Sequence, residues 1–173
     1  MDISSILASM DAGITIGVGA TVIFAALIFM MSSGKGGEDD EVSILYKSYN
    51  GEIEQKNYDA ALAAALKHLP ALYKKTKNVN DLGEGFTMIA VASDYLGKNA
   101  LSLLCSDLAC RYLTEDGVAS YPLYQKCRER ALEIGQKSKA SLSEDERKKI
   151  SLKADELWKQ GMKSLGKTLE SLV

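Results

Sequence analysis

The sequence KNYDAALAAALKHL, residues 56–69, decides the fold of most of this chain. It places aromatic, small or apolar side chains at Tyr58, Ala61, Leu62, Ala65 and Leu69. Separations of three and four residues put these positions on one face of an α-helix, whereas a half-buried strand would alternate every second residue. The stretch therefore predicts an amphipathic helix, and the same period recurs along most of the chain.

The recurring period predicts an all-α fold with about six antiparallel helices. One helix precedes the quoted stretch, over about 41–56, and the helix that contains the stretch covers 58 to about 77. Beyond it, helices are predicted over 81–96, from Gly97 to the sequence TEDG at 114–117, from about Pro122, and from SEDE at 143–146 to the end of the apolar pattern near Leu169.

Two short sequences mark predicted helix starts. In DLGE at 81–84, Asp81 stands three residues before Glu84, and in SEDE the residues Ser143 and Glu146 repeat that spacing. This is the spacing of a capping box, in which two side chains satisfy N–H groups at the start of a helix. Both sequences are therefore predicted to cap a helix.

The quoted stretch resembles the turn and second helix of a tetratricopeptide repeat. Tyr58 stands at the aromatic turn position of that repeat, and Ala61 stands at its small packing position. Predicted hairpins begin near residues 41, 81 and 119, a spacing typical of small helical solenoids. In the first helix, Ser48 and Tyr49 replace the Leu-Gly pair of the family, so an irregular helical bundle remains the alternative.

The sequence AGITIGVGATVIFAALIFMMS, residues 12–32, contains no charged residue, no side-chain amide and no proline. Its length matches the roughly 20 apolar residues needed to cross a hydrocarbon core about 30 Å thick. A cleaved signal peptide usually has basic residues before its apolar centre and small residues at its end. Here the first basic residue is Lys35, after the run, so we expect an uncleaved transmembrane anchor.

These patterns divide the chain into an N-terminal interfacial and transmembrane helix (1–33), a flexible acidic Gly/Ser linker (34–41) and a soluble helical-hairpin domain (42–173). Lys35 and Lys47 follow the span, and no basic residue precedes it. Because lysine and arginine favour the cytoplasmic side of a span, the N-terminus is expected outside and the helical domain in the cytoplasm.

Small residues line part of the predicted span. Gly13 and Gly17 form a G-x-x-x-G sequence, and Ala20 adds another small side chain. Such a face allows another transmembrane helix to approach closely. Glycine is also common in membrane helices generally, so a contact in the membrane is one of two readings.

The composition favours a non-enzymatic protein without cofactor or metal. The 21 basic and 23 acidic residues nearly balance, which argues against nucleic acid as a partner. His68 is the single histidine, and Cys105, Cys110 and Cys127 form no C-x-x-C pair. No convergent set of acid, base and nucleophile is apparent, so no small-molecule substrate is expected.

The sequence therefore predicts a single-pass membrane adaptor or scaffold that binds another protein through its tetratricopeptide-like domain. Eight tyrosines, which combine an apolar ring with a hydroxyl, suit a protein-binding groove. The candidate groove residues are Tyr49, Lys98, Asn99 and Arg111. The alternative is an accessory subunit of a larger membrane complex, held through its transmembrane helix.

Overall fold

The computed structural model describes residues 40–76 and 78–160. In these residues it contains seven helices and no strand: α1 (Glu41–Glu54), α2 (Tyr58–Lys75), α3 (Val79–Tyr95), α4 (Asn99–Tyr112), α5 (Glu115–Ser120), α6 (Pro122–Ala140) and α7 (Glu144–Gln160). The prediction of an all-α fold is confirmed for this part of the chain.

The predicted transmembrane helix lies outside the described residues, as do all but the last two residues of the predicted linker. Within 40–76 and 78–160, none of the helices combines the length and the hydropathy that crossing a bilayer requires. The anchor and its orientation therefore stay predictions from the sequence.

Several helix starts follow from their local sequence. Asp40 accepts a hydrogen bond from the Ser43 backbone N–H at 3.1 Å, which caps α1. Pro122 is the first residue of α6, where its missing N–H costs no hydrogen bond. The predicted capping box of α7 is confirmed, because Ser143 N donates to Glu146 Oε2 at 2.9 Å and Glu146 N donates to Ser143 Oγ at 3.4 Å.

The predicted cap of α3 is wrong. The helix begins at Val79, and its cap is Asn78, whose side chain accepts from the Asn80 N–H at 3.0 Å. Asp81 lies inside the first turn and binds side chains of other segments instead. The spacing of Asp81 and Glu84 is that of a capping box, but the Asp81 carboxylate accepts hydrogen bonds from Tyr124 and Thr76 instead.

Two tight turns close the helical hairpins. Lys56 adopts a left-handed conformation with φ of 60° between α1 and α2, and Gly97 adopts φ of 69° between α3 and α4. Glycine reaches this region without a steric penalty, which allows the tight reversal at Gly97. The TEDG sequence does not belong to α4, which ends at Tyr112. It begins the short helix α5, which the sequence did not predict.

The core centres on α3, which packs against α2, α4 and α6. Phe86 and Ile89 of α3 are fully buried, and burying an apolar side chain of this size contributes about 1.5–3 kcal/mol. Gly85 lets α2 approach closely, since a Cβ there would stand 2.9 Å from Leu69 Cδ1. The small residue Ala61 is fully buried on α2.

Serine hydroxyls join α6 and α4 to α3 inside the core. Ser138 of α6 donates to the Ser102 hydroxyl of α4 at 3.1 Å, and Ser102 donates to the Ala90 carbonyl of α3 at 3.3 Å. These bonds satisfy hydroxyls that would otherwise be costly to bury. On its other side, α4 packs against α7.

The three cysteines carry free thiols. Cys105 and Cys127 are buried, and Cys110 is half-buried. Burial raises the pKa of the Cys105 and Cys127 thiols, which keeps them protonated near neutral pH. These two thiols therefore behave as small packed side chains.

Candidate functional site

Two groups of side chains at the domain's helix contacts are candidates for function. The first, the carboxylate–tyrosine cluster, comprises Tyr46 of α1, His68 of α2, Asp81 and Glu84 of α3, and Tyr124 of α6. The second, the aromatic patch, comprises Tyr73 of α2, Tyr112 of α4 and Trp158 of α7. Each group draws on helices far apart in the sequence.

Asp81 organises one half of the carboxylate–tyrosine cluster. Its Oδ1 accepts a hydrogen bond from the Tyr124 hydroxyl at 2.5 Å, and its Oδ2 accepts one from the Thr76 hydroxyl. Asn78 Nδ2 donates to the Tyr124 oxygen at 2.9 Å. The loop before α3 and the start of α6 are therefore fastened to the first turn of α3.

Glu84 forms the other half, one turn further along α3. Burial, followed by the neighbouring Asp81 carboxylate, raises the pKa of its carboxyl, the Tyr46 phenol partly offsets both effects, and the resulting pKa is about 7. Burial, followed by the Glu84 charge, raises the pKa of Tyr46 in turn. Glu84 thus changes charge near neutral pH, unlike an ordinary glutamate.

His68 packs behind Tyr46, with 5.8 Å between the two ring centroids. The residue is 3 % exposed, and its Nδ1 has no hydrogen-bond partner among the described residues. Burial lowers the pKa of His68 to about 4, so the imidazole is neutral over most of the physiological range. His68 is therefore a packed, neutral side chain of the core.

The cluster could exchange protons with solvent near neutral pH through Glu84. The Asp81 carboxylate already accepts hydrogen bonds from Tyr124 and Thr76. These bonds hold the side chains of the α3 turn in place and do not present them to a ligand. In the described ranges, no group of three or more His, Cys, Asp or Glu side chains could hold a metal ion. The chemistry of this cluster therefore points to stability and its dependence on pH.

The aromatic patch lies on the surface. Tyr112 is 9 % exposed and forms its base, while Tyr73 and Trp158 are 42 % and 43 % exposed. The Trp158 ring meets the Tyr112 ring edge-on, with 4.8 Å between centroids. Burial raises the pKa of Tyr112, and the nearby Tyr73 phenol raises it further. The ring contact joins the ends of α4 and α7, and Tyr73 places the end of α2 near them.

Packing and charge support the patch from below. Phe86 of the core stacks on Tyr112, with 5.3 Å between centroids and 15° between the ring planes. Arg111 bridges two helices, since its guanidinium lies 2.8 Å from an Asp107 oxygen on α4 and 2.7 Å from an Asp155 oxygen on α7. Tyr112 and Trp158 are therefore held in place by their supporting residues.

The structure separates the residues of the predicted groove. Tyr49 lies in the core at 7 % exposure, whereas Lys98 and Asn99 lie at the turn that begins α4. Arg111 stands twelve residues beyond Asn99, a distance of about 18 Å along a helix. Of the four residues, Arg111 alone adjoins the aromatic patch. Gly13, Gly17 and Ala20 lie outside the described residues.

Sequence reasoning missed both groups for the same reason. Tyr73 and Trp158 are 85 positions apart, and no local pattern connects them. The abundance of tyrosine was a usable signal, because Tyr46, Tyr73, Tyr112 and Tyr124 all take part.

Comparison of the chain with protein-family models, curated proteins and solved structures finds no match.

Proposed function

We propose that this protein is a non-enzymatic adaptor that binds another protein through the aromatic patch of its helical domain. The observation that carries the proposal is the ring contact of Tyr112 and Trp158 between α4 and α7, with Tyr73 of α2 nearby. Tyr73 and Trp158 are both more than 40 % exposed. Tyrosine and tryptophan are enriched where proteins bind one another. Because Phe86 and Arg111 support the patch, it is preorganised and loses little side-chain entropy on binding.

The proposed adaptor acts at a membrane. The uncharged run at 12–32 supports a single-pass anchor, and Lys35 and Lys47 favour a cytoplasmic helical domain. An anchor confines the domain near the surface, which raises its effective concentration toward membrane-bound partners. A modest affinity at the patch is then sufficient.

The tetratricopeptide-like reading belongs to the same proposal. It is supported by Ala61, which is fully buried against neighbouring helices, and by Tyr58, which stacks on Tyr95 with 4.3 Å between ring centroids. The hairpins α1–α2, α3–α4 and α6–α7 begin at 41, 79 and 122, close to the predicted spacing. Such hairpins commonly present extended surfaces for protein binding.

The test is co-purification with the full-length chain from detergent-solubilised membranes. The double variant Tyr73→Ser/Trp158→Ser removes the exposed rings of the patch, and Leu132→Ser, at an exposed apolar position on α6, is the matched control. The proposal expects a partner that co-purifies with wild type and the control but not with the double variant. Equal recovery of every partner with all three chains would refute it.

The alternative function is an accessory subunit held by its transmembrane helix. The small residues Gly13, Gly17 and Ala20 favour this reading, because they would let another helix approach closely. The variant Gly13→Leu/Gly17→Leu separates the two functions. Loss of the partner with this variant, together with retention in the patch variant, would establish the subunit and exclude the adaptor.

A further inference from the structure

Two exposed carboxylates flank Arg111 at the edge of the aromatic patch. The guanidinium places Nη2 2.8 Å from Asp107 Oδ2 and Nη1 2.7 Å from Asp155 Oδ1. Arg111 Nε also donates to Asp107 Oδ2, at 3.0 Å. One positive charge therefore faces two negative charges, and this acidic triad (Asp107, Arg111 and Asp155) carries one excess negative charge at neutral pH.

The carboxylates of the acidic triad remain accessible to a second cation. The side chains of Asp107 and Asp155 are 40 % and 47 % exposed, whereas the Arg111 side chain between them is 26 % exposed. An ionised carboxylate can accept about four hydrogen bonds. Both carboxylates can therefore accept a further bond from a donor of a partner while they hold Arg111.

Trp158 lies beside the acidic triad. Asp155 precedes it by three residues on α7, which puts the two side chains on the same face of the helix about one turn apart. Tyr112, the residue after Arg111 on α4, meets the Trp158 ring at 68° with 4.8 Å between centroids. Because Trp158 remains exposed, an open part of the indole lies next to an open carboxylate.

An exposed indole beside exposed carboxylates is complementary to an arginine side chain. The face of an indole attracts a cation, and a planar guanidinium stacks on it. The same guanidinium donates two parallel N–H groups to a carboxylate. The neighbouring lysines of α7 leave this arrangement intact, since Lys153 pairs with Glu156 at 3.0 Å and Lys159 projects about 100° around the helix from Trp158.

We propose that Trp158 and the acidic triad form a subsite for an arginine side chain of the protein partner, which stacks on the indole and donates to Asp155. The identity of the occupant as a partner's side chain rests on the proposed function, whereas the preference for a guanidinium does not. An exposed cation–ring contact changes affinity by roughly two- to fivefold. The subsite therefore selects among segments that bind the aromatic patch, favouring basic segments and repelling acidic ones.

Trp158 reports on this subsite directly, because it is the only tryptophan in the chain. The experiment titrates the full-length protein in nonionic detergent with the peptide acetyl-Leu-Arg-Leu-amide and follows the Trp158 emission. The control peptide replaces arginine by citrulline, which has nearly the same shape but no charge. The arginine peptide should bind about fivefold more tightly at low salt, and the difference should shrink at about 1 M salt.

Matched variants separate the charge of the triad from its structural role. Asp107→Asn removes one carboxylate but leaves the bridge between Arg111 and Asp155, and it should weaken the arginine peptide by roughly two- to fivefold. Arg111→Met removes the bridge but leaves both carboxylates, so it should tighten binding. Glu156→Gln removes a carboxylate from another face of α7 and should bind like wild type. Circular dichroism verifies that each variant retains its helix content.

The outcomes distinguish the subsite from the adaptor function. Equal affinity for the two peptides would overturn the subsite, as would weaker binding by Arg111→Met with no change in Asp107→Asn, since the triad would then only join α4 to α7. A partner that depends on the aromatic patch would leave the adaptor standing in either case. If the arginine peptide is preferred as expected but no partner co-purifies from membranes, the adaptor function fails and the subsite stands.

Discussion

Glu84 is expected to make the domain less stable as the pH rises. Its pKa is about 7 in the folded domain and 4.5 in an ordinary glutamate, so the folded state holds the proton more tightly between these values. The stabilisation is complete below pH 4.5 and is lost as the pH rises through 7. The difference corresponds to about 3 kcal/mol, which solvent access to this half-buried side chain reduces to about 2 kcal/mol.

His68 is expected to act in the opposite direction. Its pKa is about 4 in the folded domain and 6.5 in an ordinary histidine, so the unfolded chain binds the proton more tightly. Protonation of the unfolded state lowers stability as the pH falls from 6.5 to 4, by about 3 kcal/mol in total. Between pH 4.5 and 6.5 the contributions of Glu84 and His68 largely cancel in the wild-type protein.

The assay is urea unfolding at pH 4.5, 5.5, 6.5 and 8, followed by circular dichroism. The unfolding free energy of Glu84→Gln relative to wild type should rise by about 2 kcal/mol between pH 4.5 and 8, because the amide cannot ionise. For His68→Gln, the unfolding free energy relative to wild type should instead rise as the pH falls from 6.5 to 4.5. Gly51→Ala, which introduces no titratable group and meets no atom within 4 Å, is the control, and its difference from wild type should be the same at every pH. A constant difference for Glu84→Gln would refute the reasoning.

Three further substitutions test the packing and the helix ends. Gly83→Ala would place a Cβ 2.5 Å from the buried Leu113 Cγ and 3.1 Å from its backbone nitrogen, so thermal unfolding should show a loss of about 1–3 kcal/mol. Gly51→Ala meets no atom within 4 Å and should instead stabilise α1 by about 0.5–1 kcal/mol. Ser143→Ala removes the hydroxyl that Glu146 contacts and should cost about 1 kcal/mol, seen as a lower unfolding midpoint with fraying of α7.

The sequences DLGE at 81–84 and SEDE at 143–146 show how far a local pattern determines local structure. Ser143 and Glu146 lie on an exposed helix start, where nothing competes for their hydrogen bonds, and they form the predicted capping box. Asp81 and Glu84 have the same spacing, but Tyr124 and Thr76 bind the Asp81 carboxylate. Contacts from distant helices are therefore what the local pattern could not predict.

The candidate site was harder to predict than the helices. The period of apolar residues determined most helix bounds, because each helix must bury one face. The aromatic patch depends on which helix ends meet, and Tyr73, Tyr112 and Trp158 come from three different hairpins. The predicted groove assumed that Tyr49 was accessible, but α1 buries it against the rest of the domain.

The central claim is that a partner binds at the aromatic patch while the protein is in its membrane. The most direct measurement is site-specific photo-crosslinking in intact membranes, with a benzophenone side chain at position 73 or, as the control, at the exposed position Leu132. The account predicts a protein crosslinked from position 73 but not from position 132. The same products from both positions, or none from position 73, would contradict it.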